Sequence, residues 1–236
     1  QFTIVRENTE GCYGGLGGQQ PPDSDHEVAT ATMIATSRGV ERVIRGAFEF
    51  AKRNGKQRVC LVHKANAIPQ FFLLWLRQLR AIAKEFPDIQ ASDMLVDRAA
   101  MEIIRAPEQF DVLVTSNLLG DILSDLAAMV GGGLGLAASA NIHPGKIGLF
   151  EPVHGSAPDI AGQGKANPLA MVMSLALMLR HLGYERLALT VEAAVTEAVR
   201  SRNTTHDLDG SLSTKEVGDF LIAWIEKNAR VASNAA

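Results

Sequence analysis

Two short apolar runs, Arg58-Val-Cys-Leu-Val-His63 and Phe110-Asp-Val-Leu-Val-Thr115, constrain the fold of this chain more than any other feature. Neither alternates strictly between polar and apolar residues, so each reads as a strand covered on two faces, as strands in parallel sheets are. Between them, residues 70–86 read as helix. Val40, Val43, Ile44, Ala47, Phe48 and Ala51 recur on one helical face, with Glu41, Arg42 and Arg45 off it. Asn167 before Pro168 suits an N-cap and a first helical position, opening a helix through about Leu182 that stops at Gly183. A further periodic helix is predicted over 184–201. Ser213 with Glu216 forms a capping-box pattern ahead of Val217, Phe220, Leu221, Trp224 and Ile225. Helices alternating with buried strands place the chain in the α/β class.

At 236 residues, 47% hydrophobic and 21% charged, the chain has enough apolar material for a sizeable core, in one large domain or two small ones. Lys and Arg number 23 against 26 Asp and Glu with no basic tract, so nothing points to nucleic acid or an anionic membrane surface. A small-molecule partner is expected. Cys12 and Cys60 stand far apart with no CxxC or Cys/His cluster, which argues against a zinc site or a disulfide framework and for a reducing, cytoplasmic setting. The most apolar stretch, Leu126 to Ile142, is too short and too rich in glycine for a membrane span. The opening run Gln1-Phe-Thr-Ile-Val-Arg6 lacks both a start methionine and the regions of a signal peptide, and reads as the middle of a longer chain.

Several groups could carry chemistry. Asp121 and Asp125 lie four apart just after the second apolar run, a spacing that stacks both carboxylates on one helical face. Such a pair destabilises a helix by roughly 0.2–0.5 kcal/mol, so a compensating cation is an attractive account, and oxygen ligands favour Mg²⁺ or Mn²⁺. Spacing alone equally allows a solvated helix start. Lys64 follows the first apolar run directly, at the strand end where open α/β sheets place ligands. Burial or a nearby metal would lower its pKa toward that of a general base, although taken alone it reads first as an ordinary surface lysine. Tyr13 sits in the glycine-rich Glu10-Gly-Cys-Tyr-Gly-Gly15, where it could present its hydroxyl to a substrate or simply pack. The segment from Glu151 to Pro168 is dense in small residues, with His154, Asp159 and Asn167 among them, so its backbone can approach a ligand closely.

Four segments together resemble the β-decarboxylating dehydrogenases, the family of isocitrate, homoisocitrate, 3-isopropylmalate and tartrate/D-malate dehydrogenases. They are Val5-Arg-Glu-Asn-Thr-Glu-Gly-Cys-Tyr13, Val62-His-Lys-Ala-Asn66, Asn117-Leu-Leu-Gly-Asp-Ile-Leu-Ser-Asp-Leu126 and Phe150-Glu-Pro-Val-His-Gly-Ser-Ala-Pro-Asp-Ile160 with its continuation to Pro168. The resemblance covers nearly the whole chain, in the family's order. It implies an isopropylmalate dehydrogenase-like two-domain α/β/α architecture lacking its N-terminal part. Residues 1–131 would form most of the dimerising, substrate- and metal-binding domain, and residues 132–236 the C-terminal part of the larger cofactor-binding domain. An apolar sheet edge would then be exposed in the chain alone.

By the same resemblance, Asp121 and Asp125 would bind Mg²⁺ or Mn²⁺ together with Asp97, which the family supplies from the partner subunit of a homodimer. Arg6 would clamp a substrate carboxylate. Lys64, also contributed across the dimer, would take the hydroxyl proton, and Tyr13 would return a proton to carbon after CO₂ leaves. His154, Gly155, Ser156, Ala157, Asp159, Ile160 and Asn167 would form the adenosine side of an NAD site. The Asp159 carboxylate can accept from ribose hydroxyls and would repel a 2′-phosphate, favouring NAD over NADP. Arg6-Glu-Asn-Thr-Glu-Gly11 and Val62-His-Lys-Ala-Asn66 lean toward an isocitrate- or homoisocitrate-like substrate, with 3-isopropylmalate, D-malate and tartrate as alternatives. A noncatalytic regulatory or assembly subunit is the alternative of another class. One local departure is Ile68-Pro-Gln-Phe-Phe72, where family members usually have a glycine-containing stretch.

Overall fold

The computed structural model describes residues 2–21, 23–143 and 147–233; Gln1, where the opening run begins, lies outside them. The chain divides into two compact units, Gln1–Ala127 and Ala128–Ala236.

In chain order the first unit comprises β1 (Thr3–Arg6), β2 (Gly17–Gln20), β3 (Val28–Ala31), α1 (Ser37–Arg53), β4 (Arg58–His63), α2 (Pro69–Ala83), β5 (Gln90–Leu95), α3 (Val96–Arg105), β6 (Val112–Thr115) and all but the last three residues of α4 (Asn117–Val130). Four of the strands make a parallel sheet in the order β1-β6-β4-β5, with Val59 opposite Val112 and Leu61 neighbouring Val114. Both predicted apolar runs are its two inner strands. Successive side chains of β4 point to opposite faces, and both faces are covered. Val59 and Leu61 pack with Val40, Ile44, Phe48, Phe72, Trp75 and Leu79 of α1 and α2. Cys60 and Val62 pack with Ala99, Ile103 and Leu123 of α3 and α4. That double cover is the physical reason why these strands lack polar alternation. β5 is an edge strand exposed to solvent at Gln90, Ser92 and Asp93, and it carries no strong sequence signal for that reason.

The departure at Ile68-Pro-Gln-Phe-Phe72 is absorbed locally. Pro69 takes the first position of α2, where a missing N–H costs nothing, and Phe71 and Phe72 are buried in the core beneath it. Thr36 caps α1 by accepting from the Gly39 backbone N–H at 3.0 Å. The two antiparallel strands β2 and β3 form an exposed hairpin.

The second unit contains β7 (Ala138–Ile142), β8 (Gly148–Pro152), α5 (Leu169–His181), α6 (Glu185–Arg200) and α7 (Thr214–Ser233). Its helices bury Leu169, Ala194, Val195, Ala198, Val217 and Leu221 against one another. The expected capping box is present: the Ser213 backbone N–H donates to Glu216 Oε2 at 2.8 Å, and the Glu216 N–H points back to Ser213 Oγ. β7 and β8 pair antiparallel, with Ile142 and Leu149 more than half exposed on the ribbon. Among the described residues no helix is long and apolar enough to cross a membrane.

Candidate active site

Each parallel strand of the first unit ends at a residue or turn that carries a polar side chain, and the sheet order brings these ends side by side. β1 ends at Arg6, β4 runs into Lys64, β5 passes into α3 with Asp97 in its first turn, and β6 passes into α4. Ligands of open α/β sheets bind at this edge.

Arg6 is the hub of one cluster. Its Nε and Nη2 donate to Asn117 Oδ1 at 3.0 and 2.7 Å, and its Nη1 donates to Asp121 Oδ1 at 2.7 Å. Its guanidinium also lies over the Tyr13 ring, 5.6 Å from the centroid, a cation–π distance. Gly120 makes this possible, because a Cβ there would sit 2.6 Å from Arg6 Cγ and 2.9 Å from Arg6 Cβ. Partial desolvation, then the Asp121 carboxylate, hold the Tyr13 phenol above its ordinary pKa, so it keeps its proton well into the alkaline range.

The loop carrying Tyr13 is built on two carboxylates. Glu7, 3% exposed, accepts from the Thr9 backbone N–H and hydroxyl and from the Glu10 N–H at 2.6–2.9 Å. Glu10 in turn accepts from the Thr36 backbone N–H and hydroxyl, tying the loop to the start of α1.

Lys64 and Asp97 form a second pair, Nζ donating to Oδ1 at 2.5 Å. The Lys64 ammonium and Asp97's own backbone N–H hold that carboxyl below the usual carboxylate range. Buried His63 braces the turn before them: its Nδ1 accepts from the Ala65 backbone N–H at 3.1 Å, leaving Nε2 to donate to Asp93 at 3.1 Å.

Asp121 and Asp125 both lie on α4, beyond its first turn. Asp121 is partly exposed and Asp125 exposed. Two carboxylates on one face are hard oxygen donors of the kind Mg²⁺ and Mn²⁺ take. Asp97 is engaged with Lys64 instead, and among the described residues no three His, Cys, Asp or Glu side chains gather at metal-binding spacing.

In the second unit, His154, Gly155, Ser156, Ala157, Asp159 and Ile160 follow β8 in an open segment that turns through left-handed backbone at Ala157, Gly162 and Gly164. Asp159 is exposed, and the Gln163 side chain donates to its backbone carbonyl at 2.8 Å. Asn167 is tied at both ends of its amide: Nδ2 donates to Asp207 at 2.9 Å and Oδ1 accepts from the Leu169 N–H, in effect capping α5. Thr214 holds the same segment from α7, its backbone N–H donating to the Gly164 carbonyl at 2.8 Å.

Sequence reasoning singled out Arg6, Tyr13 and Asp121, which the fold brings together, but passed over Asn117, Gly120, Glu7 and His63, which hold them or Lys64 in place. Asn117 and Gly120 stand inside the quoted Asn117-Leu-Leu-Gly-Asp121 run; nothing in spacing alone distinguishes such supports from loop residues.

The model of the family described as isocitrate/isopropylmalate dehydrogenase matches residues 1–221. The chain belongs to that family. Among its relatives are the 3-isopropylmalate dehydrogenases of Streptomyces griseus, 49% identical over 93% of this chain and 63% of that protein, and of Streptomyces coelicolor, 48% identical over 95% and 64%. A solved structure of isocitrate dehydrogenase from Methylococcus capsulatus superposes with a TM-score of 0.89 at 46% identity, covering 94% of this chain and 66% of that one. The chain thus spans just under two thirds of the length of these family members. The parallel sheet covered by helices is that of an isocitrate/isopropylmalate dehydrogenase-type fold, represented here in part.

Proposed function

We propose that this chain carries the substrate- and metal-binding side, and part of the cofactor site, of an NAD-dependent oxidative decarboxylase of 3-isopropylmalate. The observation that carries the reading is the family match over residues 1–221 together with the Arg6–Asp121–Tyr13 cluster at the carboxyl ends of the parallel strands. The expected lean toward isocitrate or homoisocitrate is not favoured, because the curated relatives above are 3-isopropylmalate dehydrogenases. That alternative fits better.

In this reading Arg6 binds a substrate carboxylate with the donors not directed at Asn117. Lys64, reaching into the partner subunit's site beside Asp97, first gives up its own proton to solvent and then, as the neutral amine, takes the proton of the substrate hydroxyl as the carbon loses its hydride to NAD⁺. The carboxyl group β to the new carbonyl leaves as CO₂, and Tyr13 places its proton on the carbon left behind. Asp121 and Asp125, with the partner's Asp97, would hold Mg²⁺ or Mn²⁺, which supplies Lewis-acid polarisation of the carbonyl oxygen and stabilises developing negative charge. The reading takes the protein to be a homodimer with shared sites, and the pairing of Asp97 with Lys64 is compatible with both residues serving the partner's site. The segment from His154 to Asn167 would take the adenosine part of NAD, which accepts the hydride, and Asp159 would exclude a ribose 2′-phosphate.

The test is NADH formation by the longest natural form of the protein with Mg²⁺ or Mn²⁺, offered 3-isopropylmalate, isocitrate, homoisocitrate, D-malate and tartrate in turn. Metal-dependent turnover of 3-isopropylmalate above the others is expected. Preference for another acid would replace the substrate, and silence across the panel by a folded dimer would point to a noncatalytic subunit.

A further inference from the structure

A carboxylate clamp works only if its guanidinium is held in plane before the substrate arrives, since ordering a long side chain on binding subtracts from affinity. Arg6 has two partners that could hold it. Asp121 is about half exposed, reaches one nitrogen, and is wanted by the proposed metal, so it cannot be committed to Arg6. Asn117 is different in each respect. It is 3% exposed, its Oδ1 takes both Nε and Nη2, and its Nδ2 donates to the Glu10 backbone carbonyl at 3.1 Å. That last bond fixes which way round the amide sits, since only the nitrogen can donate to a carbonyl. One buried side chain therefore joins the end of β1, the start of α4 and the loop that carries Tyr13.

We propose that Asn117 is a positioning residue for the substrate carboxylate: it aims Arg6 through its amide oxygen and, being uncharged, leaves the guanidinium charge to the substrate. The proposal rests on the reading of Arg6 as a substrate-binding group. Alanine at this position would remove the acceptor. Aspartate would keep the acceptor but neutralise Arg6 and set a carboxylate against the Glu10 carbonyl.

Asn117→Ala and Asn117→Asp, made in the longest natural form, are to be compared with the unaltered protein for KM toward 3-isopropylmalate, KM toward NAD⁺, kcat and melting temperature. Losing a bond to a charged group in Asn117→Ala, and competition from a fixed carboxylate for the guanidinium in Asn117→Asp, each predict a rise in KM for the acid of roughly tenfold or more. KM for NAD⁺ should stay within about twofold, and the near-isosteric Asn117→Asp, although its carboxylate faces the Glu10 carbonyl, should still fold and melt cooperatively. A merely structural asparagine would move stability and both KM values together, and that result would overturn the proposal. So would an unchanged KM for the acid in Asn117→Asp, because the neutrality of the amide would then be irrelevant. If Asn117→Ala does not fold, Asn117→Asp decides alone. Absence of turnover and of calorimetric 3-isopropylmalate binding in the unaltered protein would overturn the substrate reading itself, and the proposal with it.

Discussion

Lys64 donates to Asp97 across 2.5 Å, linking the end of one strand to the first turn of the helix that follows its neighbour. Both residues are assigned above to the partner's site, whereas Asp121 and Tyr13 would serve their own. This division makes a sharp prediction. Lys64→Ala and Asp121→Asn should each abolish turnover alone. Mixed and allowed to reassort, the two proteins should regain about a quarter of normal activity, since about half of the symmetric dimers would be mixed and one of their two sites intact. No recovery despite demonstrated subunit exchange would mean that each site is built within one chain.

Gly120→Ala tests the close approach of α4 to Arg6. The added methyl would meet Arg6 Cγ at 2.6 Å and Arg6 Cβ at 2.9 Å, and no rotamer change moves the Cβ. Overpacking of this kind costs about 1–3 kcal/mol, more than alanine recovers in helix propensity. Chemical denaturation should therefore register a net loss of stability; a net gain would mean that β1 yields easily.

His63→Leu removes a buried imidazole that accepts from the Ala65 N–H and donates to Asp93. Leaving the Ala65 N–H without its acceptor should cost about 1–3 kcal/mol, the half-exposed Asp93 carboxylate being free to turn to water. The loss should be accompanied by faster amide hydrogen exchange at Ala65, and protection equal to that of the unaltered protein would count against the bracing role.

Asp111 carries a pH dependence whose sign can be worked out. Its carboxylate accepts from the Arg58 side chain and from the Gln57 and Arg58 N–H groups, and the Arg58 guanidinium is the main reason that its pKa falls below the ordinary 3.8. A folded-state pKa below the unfolded one contributes stability above 3.8, and that stability is lost as pH falls through the folded value. Asp111→Asn should melt lower than the unaltered protein at neutral pH, by on the order of 1 kcal/mol after allowance for solvent screening. The gap should close on acidification, so a constant difference down to strongly acid pH would show that charge is not the cause.

Some of this was written in the sequence itself. β4 and the inner residues of β6 are legible because a strand buried on both faces must be apolar without alternation, and α1, α5, α6 and α7 because helical periodicity and caps are local. The placement of Lys64 at a strand end and of Asp121 with Asp125 on one helical face follows from the same local rules. What local rules cannot give is adjacency between distant segments. Only the sheet order β1-β6-β4-β5 lays Arg6 beside α4 and sets Lys64 against Asp97. Only packing reveals that Gly120 is small because Arg6 passes over it, and that Asn117, an unremarked loop-like residue in sequence, is the buried acceptor that holds that guanidinium. Periodicity encodes which face of an element is buried; the hydrogen bonds between elements depend on how the chain returns to itself, and that is decided in three dimensions.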